Sequence, residues 1–554
     1  MIEGDKLMFP IYVNQAGYLP EKRKICIATE EHSEFTVKDM QGKTCFKGSF
    51  FSVGFDELSG DRVYHGDFSA LTMPGKYRIH AGDQVSATFD IGEQVYDKLL
   101  YDVMRAFYFL RCGCELEEKH AGCYTHKACH TSDATVWDNR AIKKSIVGGW
   151  HDAGDYGRYV GPGAVALSHL LYAFMLYPNA LKGLQLNLPE SGNGQPDVLN
   201  ECRWELDWIL KMQCEDGAVY HKLTTANFCG FIMPEEDTAE QFLLPVSSIA
   251  AADFAAICAL ASRVYREYDA EYADTILQAA KKTYQWLNEN PNFLGFRNPE
   301  GCGTGGYGER DDRSNRFWAA AEMYAATGEA RYFEDVKMQL AQHDIFLTAL
   351  GWGEVGGMGS MALLTTDYSV DESIKERVKK AVIDQAADLK QNADNNGYFC
   401  AMKEHEYNWG SNMGLMHHGM ILMMADRLNG SSEYIEYALA QLHVLMGVNA
   451  LGISYVTGNG DYACNHPHLR PACADGIDAC MPGMVCGGPN RHLNDRDHSK
   501  ELLQAGTPPM KCFVDDWRCY SLNEITIYWN SPVVFLLAAV LNGKMPAAKG
   551  QALG

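Results

Sequence analysis

Tyr96-Asp97-Lys98-Leu99-Leu100-Tyr101-Asp102-Val103-Met104-Arg105-Ala106-Phe107-Tyr108-Phe109-Leu110-Arg111 is where this chain changes its period. Apolar side chains return through it at three- and four-residue intervals, the spacing of one face of an α-helix. Upstream, from residue 7 to about 92, the runs are short and alternating or β-branched: Ile11–Val13, Lys24–Ala28, Glu34–Lys38, Val63–Phe68, Gly75–His80 and Ser86–Ile91. Turns such as Gln41-Gly42 and Met73-Pro74-Gly75-Lys76 separate them, and strands so spaced predict a small all-β sandwich. Downstream, helical spacing recurs at 162–177, 196–213, 246–268, 270–289, 314–327, 330–347, 356–366, 371–390, 410–429, 431–447 and 530–542. About twelve helices, no strands between them and long Gly-, Pro- and aromatic-rich loops predict a mainly α chain closed as a toroid such as an (α/α)6 barrel. No fixed-period repeat argues for an open solenoid. The expected organisation is a sandwich over 1–93, a barrel over 94–545 and a small polar tail over 546–554.

The bulk properties fit that plan. A chain of 554 residues with 47% hydrophobic side chains can bury a large core, and no run of 18 apolar residues predicts a membrane span. The formal charge of −23 disfavours a nucleic-acid partner, whose affinity rests on basic patches. Met1-Ile2-Glu3-Gly4-Asp5-Lys6 lacks the basic and apolar regions of a signal peptide, so the expectation is a cytoplasmic protein, the alternative being a secreted one that has lost its leader. Eighteen cysteines in so long a chain do not form a small disulfide scaffold, and a reducing compartment is expected. A monomer or small oligomer with no organic cofactor is expected.

Chemistry concentrates in two acidic segments about 370 residues apart. Gly148-Gly149-Trp150-His151-Asp152-Ala153-Gly154-Asp155-Tyr156-Gly157 sets two carboxylates among glycines and aromatics. Asp152 and Asp155 could jointly hold one water while one of them takes its proton, and Trp150 and Tyr156 offer faces for a sugar ring. The bland reading is an Asx-turn loop. Phe513-Val514-Asp515-Asp516-Trp517-Arg518-Cys519-Tyr520-Ser521-Leu522-Asn523-Glu524 leads into Ile525-Thr526-Ile527-Tyr528-Trp529-Asn530. Apolar neighbours there would desolvate Glu524 and raise its pKa, as a general acid needs; the bland reading is a carboxylate on a helix dipole. His466-Pro467-His468-Leu469-Arg470 could hydrogen-bond hydroxyls.

These segments resemble glycoside hydrolase family nine, the inverting cellulases with an N-terminal immunoglobulin-like module. The likeness spans nearly the whole chain. It includes Val13-Asn14-Gln15-Ala16-Gly17-Tyr18, Pro189-Glu190-Ser191-Gly192-Asn193-Gly194, Met233-Pro234-Glu235-Glu236-Asp237 and Thr304-Gly305-Gly306-Tyr307-Gly308. Phe513–Ser531 fits the family's Glu-containing signature, and His468-x-Arg470 fits another, although Tyr462 stands where Asn, Lys or Arg is usual. The resemblance implies an (α/α)6 barrel behind an immunoglobulin-like sandwich. It implies hydrolysis of β-1,4-glucosidic bonds in cellulose-type polysaccharide, mixed-linkage glucan or cellodextrins. Asp155 would be the general base, Asp152 would help to hold the water and Glu524 would be the general acid. His468, Arg470 and Asp515 would bind or orient the sugar, with Tyr520 and Trp409 beside them. Trp137, Trp150, Trp352 and Trp517 are further candidate stacking platforms.

Cys112, Cys129, His130 and His151 make a Cys₂His₂ set sufficient for a closed tetrahedral zinc site, although no CxxC pair exists. By spacing alone they read as buried thiols and surface histidines; the resemblance turns the expectation to structural zinc. Glu309, Asp311 and Asp312 could bind calcium through hard oxygens, or form a solvated acidic loop. Cys464, Cys473, Cys480 and Cys486 could be disulfides, metal ligands or free thiols. Alternatives to a glucanase are an exo-acting β-glucosaminidase on chitosan oligosaccharides, a non-catalytic carbohydrate-binding protein and a zinc-dependent hydrolase unrelated to sugars. The β module reads as a structural brace without an aromatic row.

Overall fold

The computed structural model describes residues 10–495 and 498–542. Its first part, Ile11 to Ile91, is all β, with strands at Ile11–Tyr12, Ile25–Ala28, Glu34–Asp39, Thr44–Asp56, Asp61–Asp67, Gly75–Ala81, Gln84–Val85 and Phe89–Ile91. The longest, Thr44–Asp56, is absent from the sequence expectation. It serves both layers: its first half pairs with Glu34–Asp39 and its second half with Asp61–Asp67, with a register shift between Ser52 and Gly54. Polar and glycine residues interrupt the apolar alternation along it, which hides the strand from a period-two reading. Val37, Phe50, Ile79, Phe89 and their neighbours fill the space between the layers. Phe51, Val53 and Phe55 point outward on the long strand and are exposed.

Among the described residues twelve helices of ten residues or more follow: Asp97–Phe109, Val160–Leu176, Asp197–Lys211, Ser248–Tyr265, Ala270–Glu289, Arg313–Thr327, Ala330–Gln342, Gly356–Thr365, Glu372–Asp394, Ser411–Asn429, Glu433–Leu445 and Ile527–Leu541. They form the (α/α)6 barrel. Their sequences sort them into two rings. Val160–Leu176, Ser248–Tyr265, Gly356–Thr365 and Ile527–Leu541 are buried on nearly every side, as a helix apolar all round must be. Arg313–Thr327 and Ser411–Asn429 complete this inner ring. Ala270–Glu289, Ala330–Gln342 and Glu372–Asp394 bury one stripe each and lie outside. By length and composition Ser248–Tyr265 would suffice to cross a membrane, but 94% of it is buried inside the fold, where it is a core helix.

The expectation of no strands among the helices is corrected. A five-stranded sheet of Ala134–Val136, Asn139–Lys144, Arg158–Tyr159, Lys222–Thr225 and Gln241–Leu243 sits in the loops at one end of the barrel. Two- to six-residue strands carry too few residues for a period to show. The tail expected over 546–554 lies outside the described residues.

The β module is joined to the barrel by buried polar contacts. Asp56 Oδ2 accepts from Asn396 Nδ2 at 3.0 Å and from Gly397 N at 2.8 Å, while its Oδ1 accepts from Ser59 N at 2.8 Å. Asp61 accepts from Tyr398 Oη at 2.9 Å and Lys511 Nζ at 2.6 Å. The Gln15 side chain donates to Gly452 O and accepts from Tyr462 N.

Candidate active site

The 148–157 loop is built to turn sharply. Gly148 and Gly149 have φ of +117° and +80°, in the left-handed region that suits glycine. Gly154 is needed for closeness instead: a Cβ there would collide with the His468 carbonyl. Around these points the loop is fixed by its flanks. Arg111 and Trp150 form a bridge, Cys112 N donates to Gly149 O at 2.8 Å and His151 N donates to Leu110 O at 2.7 Å. Trp150 is wholly buried, with Nε1 on Glu201 and its backbone N–H on Glu205. It is a core anchor, and the expectation of a sugar platform there is corrected; Tyr156 is buried likewise.

The second acidic segment is hydrogen-bonded directly to this loop. Ala153 bridges Thr526, Ile527 N donates to Asp152 O at 2.9 Å, and His468 bridges Glu524. Asp152, Asp155 and Glu524 are thereby gathered on one side of the barrel mouth. Asp152 is 1% exposed; Oδ2 accepts from Tyr307 Oη at 2.6 Å, and the buried Oδ1 has no protein partner. Asp155 is 8% exposed, and Oδ2 accepts from Gly157 N at 2.8 Å and Tyr159 Oη at 3.4 Å. Glu524 keeps part of its surface in the cleft.

The electrostatics divide the three. Burial pushes Glu524 up to about 8, and the charge of Asp155 adds to that rise. Asp152 is raised well above the carboxylate range by burial. Burial raises Asp155 too, but the Arg470 guanidinium, the Gly157 N–H and the Lys222 ammonium all act against the rise. A carboxyl that keeps its proton near neutrality therefore shares a cleft with one whose ionised form is supported by two cations.

The expected sugar-binding residues fall into two groups. Trp409 and Trp517 are 44% and 41% exposed and stand in one aromatic arc: Trp409 packs on Tyr520, Tyr520 on His468, His468 on Phe231 and Phe231 on Trp517. His468 is fixed by its Nδ1 to Trp517 O at 2.6 Å, and burial lowers its pKa to about 4, so the ring is neutral. The other two serve the backbone. Arg470, 6% exposed, donates to Gly154 O at 2.6 Å and to Cys229 O at 3.2 Å. Asp515 accepts from Asn465 N and His466 N and so ties the histidine loop to the acid-bearing segment. Trp352 packs against Tyr307, whereas Trp137 lies on the five-stranded sheet against Phe242.

Tyr307, Tyr159 and Lys222 join the site without a role legible in the sequence. Tyr307 has a left-handed φ of 46° and turns its hydroxyl onto Asp152. A lone tyrosine between glycines was the available signal.

Cys112, Cys129, His130 and His151 converge: their ligand atoms all lie within 4.8 Å of one another. Cys112 Sγ is 3.6 Å from His130 Nδ1 and Cys129 Sγ 3.9 Å from His151 Nε2, separations that suit the edges of a tetrahedral Cys₂His₂ site. The two thiols share one buried setting: Cys112 and then the two histidines lower Cys129, while burial raises Cys112. His130 Nε2 also faces Asp237 Oδ2 at 3.4 Å, in the manner of a carboxylate that orients a ligand ring. The calcium expectation finds no support. Asp311 is paired with Arg313 at 2.6 Å, Asp312 with Arg316 at 2.8 Å, and Glu309 turns to Asn315. None of the eighteen cysteines is in a disulfide; Cys464, Cys480 and Cys486 are buried and Cys473 exposed.

Comparison with known proteins gives the site its context. Residues 96–537 match the model for glycosyl hydrolase family 9, and residues 9–86 match that for the cellulase N-terminal ig-like domain. A cellodextrinase of Butyrivibrio fibrisolvens is 44% identical over 551 residues, 96% of this chain and 100% of that protein. A structure of AaCel9A in complex with cellobiose-like isofagomine superposes with a TM-score of 0.91 at 35% identity, covering 96% of this chain and 99% of the other. That of a Zn-binding triple mutant of the family 9 endoglucanase J30 gives 0.87 at 36% identity, covering 94% and 99%.

Proposed function

The chain belongs to glycosyl hydrolase family 9, and we propose from that premise how its own residues carry the reaction. It is a glycoside hydrolase that cleaves β-1,4-glucosidic bonds in cellulose-type glucans and cellodextrins. Asp155 takes the proton from a water that Asp152 helps to hold, and Glu524 gives its proton to the departing oxygen, with inversion at the anomeric carbon. The observation that carries this reading is the joining of the 152–155 loop to Glu524 through the Ala153–Thr526 bridge. In support of it, Glu524, raised by burial, lies beside Asp155 and beside Asp152, whose Oδ1 has no protein partner. The aromatic arc from Trp409 to Trp517 supplies faces on which sugar rings stack.

The Cys112, Cys129, His130, His151 set fits zinc in ligand type, number and convergence. A zinc ion there would be structural, since four protein ligands leave no open position, and Cys112, Cys129, His130 and His151 would hold it at the start of the catalytic loop.

The first test is cellohexaose and a chitosan hexamer side by side, with products followed by chromatography. Cellodextrin products are expected, released as several lengths by an endo-acting enzyme or as one short unit by an exo-acting one; cleavage of the chitosan oligomer alone would overturn the glucan assignment. On the cleaved substrate, Asp155→Asn and Glu524→Gln are each expected to cut kcat by about 10²–10⁴ without lowering the melting temperature. Full turnover in either variant removes the role assigned to that residue.

A further inference from the structure

Lys222 lies in the strand Lys222–Thr225, is wholly buried, and carries its ammonium into a cage of neutral oxygens. Nζ donates to Gly305 O at 2.6 Å, Asn298 Oδ1 at 2.8 Å, Thr304 Oγ1 at 2.9 Å and Thr304 O at 3.5 Å. A charge taken out of water needs an opposite charge as well as dipoles. None of these four oxygens is an anion; burial lowers the ammonium to about 8, the Cys302 thiol works against that fall, and Asp155 is the carboxylate whose field also reaches it.

The path between them is short and polar. Thr304 and Asp155 line the same small cavity. Tyr159 is the register partner of Lys222; its ring centre is 5.6 Å from Nζ, and its hydroxyl donates to Asp155 Oδ2 at 3.4 Å. That hydroxyl is also hydrogen-bonded to Thr304. His221, the neighbour of Lys222, binds Gly306 O at 2.9 Å, so both residues hold the 304–306 stretch that delivers Tyr307 to Asp152.

We infer that Lys222 is a positioning residue for the proposed hydrolysis: an internal counter-cation that favours the ionised form of Asp155 through Thr304 and Tyr159 without touching sugar. The inference rests on the reading of Asp155 as general base. The groups that face Asp155 divide by sign. Burial opposes its ionisation, and its charge in turn raises Asp152 and Glu524; Arg470, Lys222, the Gly157 N–H and the Tyr159 hydroxyl favour it. An ammonium in direct contact would occupy the oxygen that must accept a proton from water. Held back in a neutral cage, the same charge lends its field and leaves that lone pair open.

The test is the pH profile of kcat/KM on a cellodextrin for wild type and Lys222→Met. The acidic limb is expected to move up by about one pH unit, which is about a tenfold loss of rate on that limb with the plateau largely kept. In Lys222→Ala, methylammonium is expected to move the limb back. A folded Lys222→Met with an unmoved limb overturns the inference. Should Lys222→Met fail to fold, Tyr159→Phe cuts the hydroxyl link while leaving the lysine in place; the same upward shift is expected, and an unmoved limb there overturns it equally. Carbon-13 NMR of aspartate side-chain carboxyls, with Asp155 identified by Asp155→Asn, reads the same titration without substrate. An Asp155 midpoint that rises in the variant of a protein that cleaves no glucan would sink the glucan reading and keep Lys222. An unmoved midpoint in an active enzyme would do the reverse.

Discussion

Glu524 and Asp155 share a cleft, yet their environments ask opposite things of a proton. With Glu524 pushed up to about 8, activity is expected to fall as pH rises through that region, because the acid loses the proton it must donate. The same shift has a stability sign. A carboxyl whose folded pKa is raised contributes stability that is present below its unfolded pKa, near 4.3, and is lost as pH rises toward 8. Glu524→Gln, which cannot ionise, is therefore expected to melt above wild type at pH 9, with the gap closing toward pH 4. Calorimetry at the two pH values decides it, and a gap independent of pH would remove the raised pKa from the account. At this scale the carboxylates were legible because glycines and aromatics around acidic residues are uncommon. Sequence gives Arg470 and Asp515 as groups without their partners: Arg470 donates to the carbonyls of Gly154 and Cys229, and Asp515 accepts from Asn465 N, His466 N and Asn523 Nδ2. Lys222 was not legible because its role depends on Asn298 and Thr304, some eighty residues away.

Among elements, the catalytic loop is held from both flanks. Downstream it is bridged to Thr526; upstream it is hydrogen-bonded to the 110–112 segment, and the Cys₂His₂ set converges at its beginning. His130 accepts a left-handed φ of 47°, a strain that a bound ion at this set would sustain. About one zinc per chain is expected by elemental analysis, and removal by a strong chelator should lower both the melting temperature and the turnover, with restoration on adding zinc. Unchanged melting after complete removal would dismiss the bracing role. The inner and outer helices were legible from period and composition, because a helix apolar on every side has nowhere to go but the centre. The five short strands were not, since their pairing is decided by the loops that bring them together.

For the whole molecule, the β module and the barrel meet through buried polar atoms rather than an oily seam. Asp56 satisfies donors on Asn396 and Gly397. Asp56→Ala would strand them, at a cost of about 1–3 kcal/mol. It is expected to lower the melting temperature while leaving the pH profile of activity in place; equal melting curves would show that the junction is held elsewhere. Asp61 grips Lys511, just ahead of the segment that ends in Glu524, so the module also steadies the approach to the acid.

The bridge between Ala153 and Thr526 has a consequence in time. The base and the acid leave the ribosome some 370 residues apart, and the helix that follows the acid, Ile527–Leu541, is an inner wall of the barrel. A nascent chain that has already displayed Asp155 owns no cleft until that last wall slides in. On the proposed roles, hydrolysis begins as a single late event in synthesis, and a chain clipped before Glu524 holds the proposed base without its acid.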